Sequence, residues 1–187
     1  MKSHSRVLIG VLKREMRHPR TGAEIGVWNG GNSRSLLERF GELHLLMVDL
    51  YRPYQDFEEE EVQDTRLGKK SKEEVYEAMK TAVDSTQSLS DRRVVMVGDS
   101  VECSMIVSDC CLDFVFIDGC HSYNYVRRDL IAWWNKVREG GILSGHDYNG
   151  RGDRTGAFGV KRAVDEFMKT KNRKVYVENY LIWWVKK

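Results

Sequence analysis

Leu112-Asp-Phe-Val-Phe-Ile-Asp-Gly-Cys-His-Ser-Tyr-Asn124 passes from an apolar run to an aspartate and a histidine within a few residues. The run Phe114 to Ile117 is short and rich in aromatic and β-branched residues, as a buried strand requires. Asp118 ends it. A helix is expected from about Ser122 to Arg138, because Tyr123, Val126, Leu130, Trp133 and Val137 share one side. A buried strand followed by an amphipathic helix is the unit of a parallel sheet, so the rest of the chain is read for repetitions of it.

Working outward, the unit recurs. Gly140-Gly-Ile-Leu143 leads to Ser144-Gly-His-Asp147, and Val160, Ala163, Val164 and Phe167 mark the next helix. Val175–Glu178 and Tyr180–Val185 are close enough to pair as a hairpin, with Trp183 and Trp184 on opposite faces. Toward the N-terminus, Val94–Val97 ends at Gly98-Asp-Ser100. Before it, Ser71 and Glu74 form a capping-box signature ahead of Val75, Met79 and Val83. Leu43–Val48 ends in Asp49, and Thr21–Trp28 runs into the turn Asn29-Gly-Gly-Asn-Ser33 ahead of Leu36, Leu37 and Phe40. The expected fold is α/β: a Rossmann-like, seven-stranded, mostly parallel sheet with a C-terminal antiparallel hairpin and helices on both faces.

The 187 residues suit one domain, 1–187, and 41% hydrophobic with 31% charged residues suits a soluble globule. A net charge of +2 demands neither nucleic acid nor an acidic membrane as partner, and no run approaches the roughly 20 apolar residues of a membrane span. The N-terminal stretch turns charged again too soon for a signal peptide and reads as an amphipathic helix. Cys103, Cys110, Cys111 and Cys120 lack metal-like pairing and read as thiols in a reducing, cytoplasmic compartment. Residues 51–70, acidic then basic, form either a solvated insertion or a lid over the strand ends.

Polar residues gather where strands end. In an open α/β sheet those ends share one rim, where ligands bind beside the topological switch point. Glu24, Gly26, Gly30 and Gly31 mark a sharp turn, with Asn32 and Ser33 where a helix begins and backbone amides favour an anion. The spacing is not that of a dinucleotide GxGxxG. Asp49, 19 residues beyond Gly30, stands about where a carboxylate accepts from ribose hydroxyls. Asp118 and Asp147 end neighbouring strands and could converge on a divalent cation such as magnesium, with His146 adjoining. His146 would bias that site toward a softer ion. The imidazole of His121 suits a general base, although a turn residue is an equal reading of a lone histidine. For Cys120 no third orienting group is evident in the sequence, and it reads as packing.

These stretches resemble the class I S-adenosylmethionine (SAM)-dependent methyltransferases, in particular small-molecule and sugar O-methyltransferases of the macrocin and cephalosporin-biosynthesis type. AEIGVWNGGNS resembles the first motif of that family. FIDGCHSYNYVRRDL followed by GGILSGHDY is the more specific signature, and GVKRAVDEF resembles its late helix. The resemblance implies that the glycine turn (Gly26, Gly30), Asn32 and Ser33 cradle the methionine end of SAM, with Glu24 supporting them. It implies that Asp49 holds the ribose, and that Asp99 and Ser100 flank the adenine. Asp118 would be catalytic and line the cofactor site, His121 would be the general base, and Asp118, His146 and Asp147 would hold a Mg2+ or other divalent cation. His146 departs from the glutamate frequent in metal-dependent relatives, which leaves metal use open. The implied reaction is methyl transfer to a hydroxyl of a small polar metabolite or sugar. A nicotinamide-dependent oxidoreductase and a non-catalytic, methyltransferase-like interaction protein are the alternatives. A homodimer is expected; nucleic acid and membrane partners are not.

Overall fold

The computed structural model describes residues 3–53, 70–149, 159–179 and 181–187. The charged stretch 51–70 lies almost wholly outside the described residues, as do Arg151 and Arg154. The chain opens with helix α1 (Ser3–Met16), strand β1 (Thr21–Ile25), α2 (Gly31–Arg39) and β2 (His44–Asp49). It continues through α3 (Lys72–Ser85), a 3-10 turn over Gln87–Arg92, β3 (Arg93–Val97) and α4 (Ser100–Met105). Then follow β4 (Leu112–Ile117), α5 (Tyr123–Trp134), β5 (Val137–Gly145), α6 (Val160–Thr170), β6 (Tyr176–Glu178) and β7 (Ile182–Lys186).

The seven strands make one sheet in the order β3-β2-β1-β4-β5-β7-β6. β1 pairs in parallel with β2 and β4, and β7 runs antiparallel between β5 and β6. This is the fold read from the sequence, and β4 shows why. Its run is apolar throughout because both faces are covered: Val115 and Ile117 enter one core, Phe114 and Phe116 the other. Each fully buried side chain of this size stabilises the fold by roughly 1.5–3 kcal/mol. Residues of α5 and α6 pack the first core, and residues of α1, α2 and α3 the second. Trp183 and Trp184 divide between the two in the same way.

Two elements differ from expectation. α5 stops at Trp134, and Val137 begins β5, pairing with Leu112. Gly140, at φ +72°, lies within the irregular part of this strand, where the register shifts between Leu112 and Phe114. In α3 the buried stripe is Val75, Ala78 and Ala82, one residue back from the expected Met79 and Val83. Ala82 meets the glycine turn at close range, since a Cβ placed on Gly30 would come 2.8 Å from the Ala82 Cα. Among the described residues, no helix is long and apolar enough to cross a membrane.

Candidate active site

The chain leaves β1 toward β2 and β3, then crosses back to β4, so a crevice opens between the carboxyl ends of β1 and β4. A cavity occupies it, walled by the ends of β1, β2 and β4, the loop into α4 and one face of α5. Gly26 brings the walls together. It sits at φ +88°, and a Cβ there would lie 2.3 Å from the Asp118 carbonyl oxygen, so no other residue fits. Trp28 and Tyr51, at φ +53° and +44°, also line the cavity, and the Tyr51 hydroxyl donates to the Trp28 carbonyl at 2.8 Å. Held backbone of this kind costs on the order of 1–3 kcal/mol per residue and clusters at functional sites.

Glu24 lies behind this wall at 1% exposure. Asn32 Nδ2 donates to its Oε1 at 3.0 Å, and the Ser33 hydroxyl donates to its Oε2. Burial pushes the Glu24 carboxyl up to about 8, against the pull of the Ser33 and Asn32 hydrogen bonds. Asn32 and Ser33 thus turn their side chains inward to Glu24, and neither lines the cavity. Gly30 packs on Ala82. Asp49 does face the cavity, and it also ties the turn together. Its Oδ2 accepts from the Val27 and Trp28 amides, each at 2.8 Å, and its Oδ1 from the Tyr51 amide at 3.0 Å.

At the other end of the cavity, Asp99 caps α4, its Oδ1 accepting from the Val101 amide at 2.9 Å and the Glu102 amide at 3.3 Å. Its Oδ2 faces Arg128 at 3.5 Å. Ser100 Oγ accepts from Trp133 Nε1 at 2.8 Å. Beside it stands a residue that sequence reasoning missed: Asp129 of α5, 6% exposed and lining the cavity. It lies three residues after Val126 and four before Trp133, on the buried stripe of α5. An acid at that spacing was the available signal.

Asp118 lines the cavity and also faces the second half of the site. His121 Nε2 is 3.4 Å from Asp118 Oδ1 and 3.4 Å from Asp147 Oδ2. Donor atoms of Asp118, His121 and Asp147 all lie within 4.8 Å of one another, a set that could hold a metal ion. His146 Nδ1 is 2.9 Å from Asp147 Oδ2 and 3.7 Å from Asp118 Oδ1, and its ring meets that of His4 edge-on at 5.3 Å. Burial alone would raise the Asp147 carboxyl, but the His146 hydrogen bond and the neighbouring histidines hold it below its usual value. The converse holds for His146: burial lowers it, and Asp147 and Asp118 together raise it above the ordinary imidazole value. Asp147 is itself at φ +57°. Cys120 is buried at the cavity wall, and none of the four cysteines is in a disulfide.

No curated protein matches the sequence. Among solved structures, the O-methyltransferase TomG from Streptomyces achromogenes, in complex with SAM, superposes with a TM-score of 0.70 at 13% identity, over 100% of this chain and 81% of that one. The O-methyltransferase from Bacillus cereus, in complex with SAH, gives 0.66 at 16% identity, over 100% of this chain and 82% of that one. The O-methyltransferase NovP gives 0.68 at 17% identity, over 98% and 78%. At such identities the likeness is one of fold. The family model described as "Methyltransferase domain" matches residues 23–148, from the β1 wall to Tyr148 after the Asp118–His121–Asp147 cluster, and the chain belongs to that family.

Proposed function

We propose that the protein transfers the methyl group of SAM to a hydroxyl of a small polar molecule. The observation that carries this reading is the double position of Asp118, which lines the crevice cavity and faces His121 and Asp147 on its other side. A donor in the cavity and an acceptor at the cluster would then meet at one carboxylate. The fold neighbours TomG, with SAM, and the Bacillus cereus enzyme, with SAH, support the choice of donor.

SAM when bound supplies an electrophilic methyl on a sulfonium, so the protein's own work is to bind, align and deprotonate. Asp49, Asp99 and the glycine turn form the donor side. His121 Nε2 is the proton acceptor for the hydroxyl, and the carboxylates of Asp118 and Asp147, each 3.4 Å from it, stabilise the imidazolium that results. Alignment of hydroxyl and methyl at about 3–3.5 Å is the remaining requirement. In the alternative to that proton transfer, the donor set fits a divalent cation held by Asp118, His121 and Asp147, with His146 adjoining, and His121 is then a ligand and not the base. Such an ion when bound lowers the pKa of a hydroxyl, and mixed imidazole and carboxylate donors favour manganese or a softer ion over magnesium.

Calorimetric titration with SAH and with NAD, followed by a screen of hydroxylated acceptors with mass-spectrometric detection, tests the reading. Binding of SAH but not NAD, with methylated product formed, is expected. His121→Ala should retain SAH binding and lose about 100-fold or more in turnover. Binding of NAD in place of SAH sinks the proposal, and an unchanged rate in His121→Ala removes His121 as base.

A further inference from the structure

Two of the four thiols stand side by side, away from the chemistry described above. Cys110 and Cys111 are both exposed and immediately precede β4, at the amino end of the sheet and opposite the rim that carries Asp118. Neither lines the cavity. Cys110 lies at φ +55°, a left-handed conformation that strains any residue with a Cβ and that glycine or asparagine adopts more easily. The surroundings hold it there. The Cys110 amide donates to the Asn135 carbonyl at 2.8 Å, the Leu112 amide to the Lys136 carbonyl at 3.0 Å, and the Thr21 hydroxyl to the Cys111 carbonyl at 2.9 Å. Lys136 Nζ adds an ion pair with Asp109 at 2.7 Å. The backbone of the pair is fixed from β1 and from the turn after α5, while the residues themselves face solvent. In a strand, adjacent side chains point to opposite faces, so neighbouring cysteines there cannot meet. The left-handed residue breaks that alternation. Desolvation pushes the Cys111 thiol up; its own amide and the Lys136 ammonium oppose this, and Asp109 and the Cys110 thiol add to it, so the two sulfurs feel each other's charge.

We propose that Cys110 and Cys111 form a thiol–disulfide exchange site, which a low-molecular-weight disulfide of the glutathione type converts to a vicinal disulfide. In the first step one protein thiolate attacks a sulfur of the small disulfide. That S–S bond breaks, a mixed disulfide forms and one small thiolate leaves. The neighbouring thiolate then attacks the protein sulfur of the mixed disulfide and expels the second small thiolate. Two protein thiols are oxidised, one small disulfide is reduced to two thiols, and the protons of the protein thiols pass to the leaving groups. No other reactant enters. Because the two sulfurs sit on adjacent residues, the second step is intramolecular and outruns capture of a second small disulfide. The product is strained. The peptide between the cysteines is trans and sets their Cα atoms about 3.8 Å apart, whereas ordinary disulfides span about 4.4–6.8 Å. A bond compressed in this way is readily reduced, so the site reverts when small thiols are in excess. Cys103, half-buried on α4, and Cys120, buried at the cavity wall, have no adjacent cysteine in the chain and stay reduced.

The test incubates the full chain with oxidised glutathione, blocks the remaining thiols with N-ethylmaleimide, and reads intact mass and tandem spectra of chymotryptic peptides. Wild type should lose two hydrogens, with the link assigned to Cys110 and Cys111 and with Cys103 and Cys120 blocked by the maleimide. Dithiothreitol should restore both thiols. Cys110→Ser and Cys111→Ser cannot close the ring, and each should instead carry one glutathione on the thiol that is left. Wild type alone can overturn the proposal, so it does not depend on the folding of either variant. A lasting glutathione adduct on Cys110 or Cys111, a bridge to Cys103, to Cys120 or to a second chain, or no oxidation at all would each show that the pair is not an exchange site.

Discussion

At the scale of single residues, the buried carboxyl of Glu24 has the clearest consequence for stability. Its ordinary value lies near 4.5 and burial lifts it to about 8 in the fold. Between those values the folded protein holds a proton that the unfolded chain has released, so stability falls as pH rises through that window. Glu24→Gln is a neutral isostere that keeps an acceptor for Asn32 or Ser33 and removes the titration. Its melting temperature should match wild type near about pH 5 and exceed it by several degrees near about pH 8.5. Parallel melting curves across that range would show that Glu24 titrates normally. Asp49→Ala carries two effects for a related reason. It should raise the SAH dissociation constant and also lower the melting temperature, because Asp49 accepts from the Val27, Trp28 and Tyr51 amides. An unchanged melting temperature in a differential scan would reduce Asp49 to a ligand contact. Sequence made Asp49, Asp99 and Asp118 legible because each follows an apolar run. Asp129 escaped because one acid in a helical stripe looks solvated until the partner of that stripe, the Ser100–Trp133 pair, is in view.

At the scale of elements, the start of α6 holds the proposed base. The Gly159 amide donates to the His121 carbonyl at 2.8 Å. A Cβ on Gly159 would lie 2.4 Å from the Tyr123 Cβ and 2.5 Å from its Cα and amide nitrogen. Tyr123 cannot yield easily, since its hydroxyl donates to Glu166 at 2.5 Å and Arg162 stacks 4.4 Å from its ring centroid. Gly159→Ala should cost about 1–3 kcal/mol in urea unfolding, the usual range for forced overpacking. It should also lower turnover several-fold and leave SAH binding unchanged, because Gly159 does not line the cavity. A variant with unaltered turnover would separate α6 from the chemistry. Helix boundaries here were only partly legible. Val137 continues the apolar spacing of α5, and period alone cannot distinguish a last helical turn from the first residue of the next strand. Only its pairing with Leu112 decides.

At the scale of the molecule, the sheet order turns distant stretches of sequence into one site. The parallel βα units implied a common rim, so the convergence of Asp118 and Asp147 was legible before any coordinates. The position of β7 was less so: the short turn predicted a hairpin, but not which of its strands meets β5. The reason is burial. Ile182 to Val185 are buried without a break and belong inside the sheet, whereas Tyr176 and Val177 of β6 are exposed and suit an edge. The cluster that results takes Asp118 from the end of β4, His121 from the approach to α5 and Asp147 from the turn after β5. An ion held there would tie three segments that separate on unfolding, and would stabilise only the folded state. At about 100 times its dissociation constant, such an ion contributes about 2.7 kcal/mol. For a chain of this size that is a rise in melting temperature of about 5–10 °C. Titrating the protein with Mn2+ should produce this rise, Mg2+ a smaller one, and a chelator should reverse both. Asp147→Asn is the control of choice, since asparagine tolerates the positive φ that Asp147 adopts and the turn should survive. That variant should keep its melting temperature without metal and lose the response to Mn2+. A rise equal to wild type would place the ion elsewhere, and no rise in wild type would leave Asp118 and Asp147 as partners of the His121 imidazolium alone.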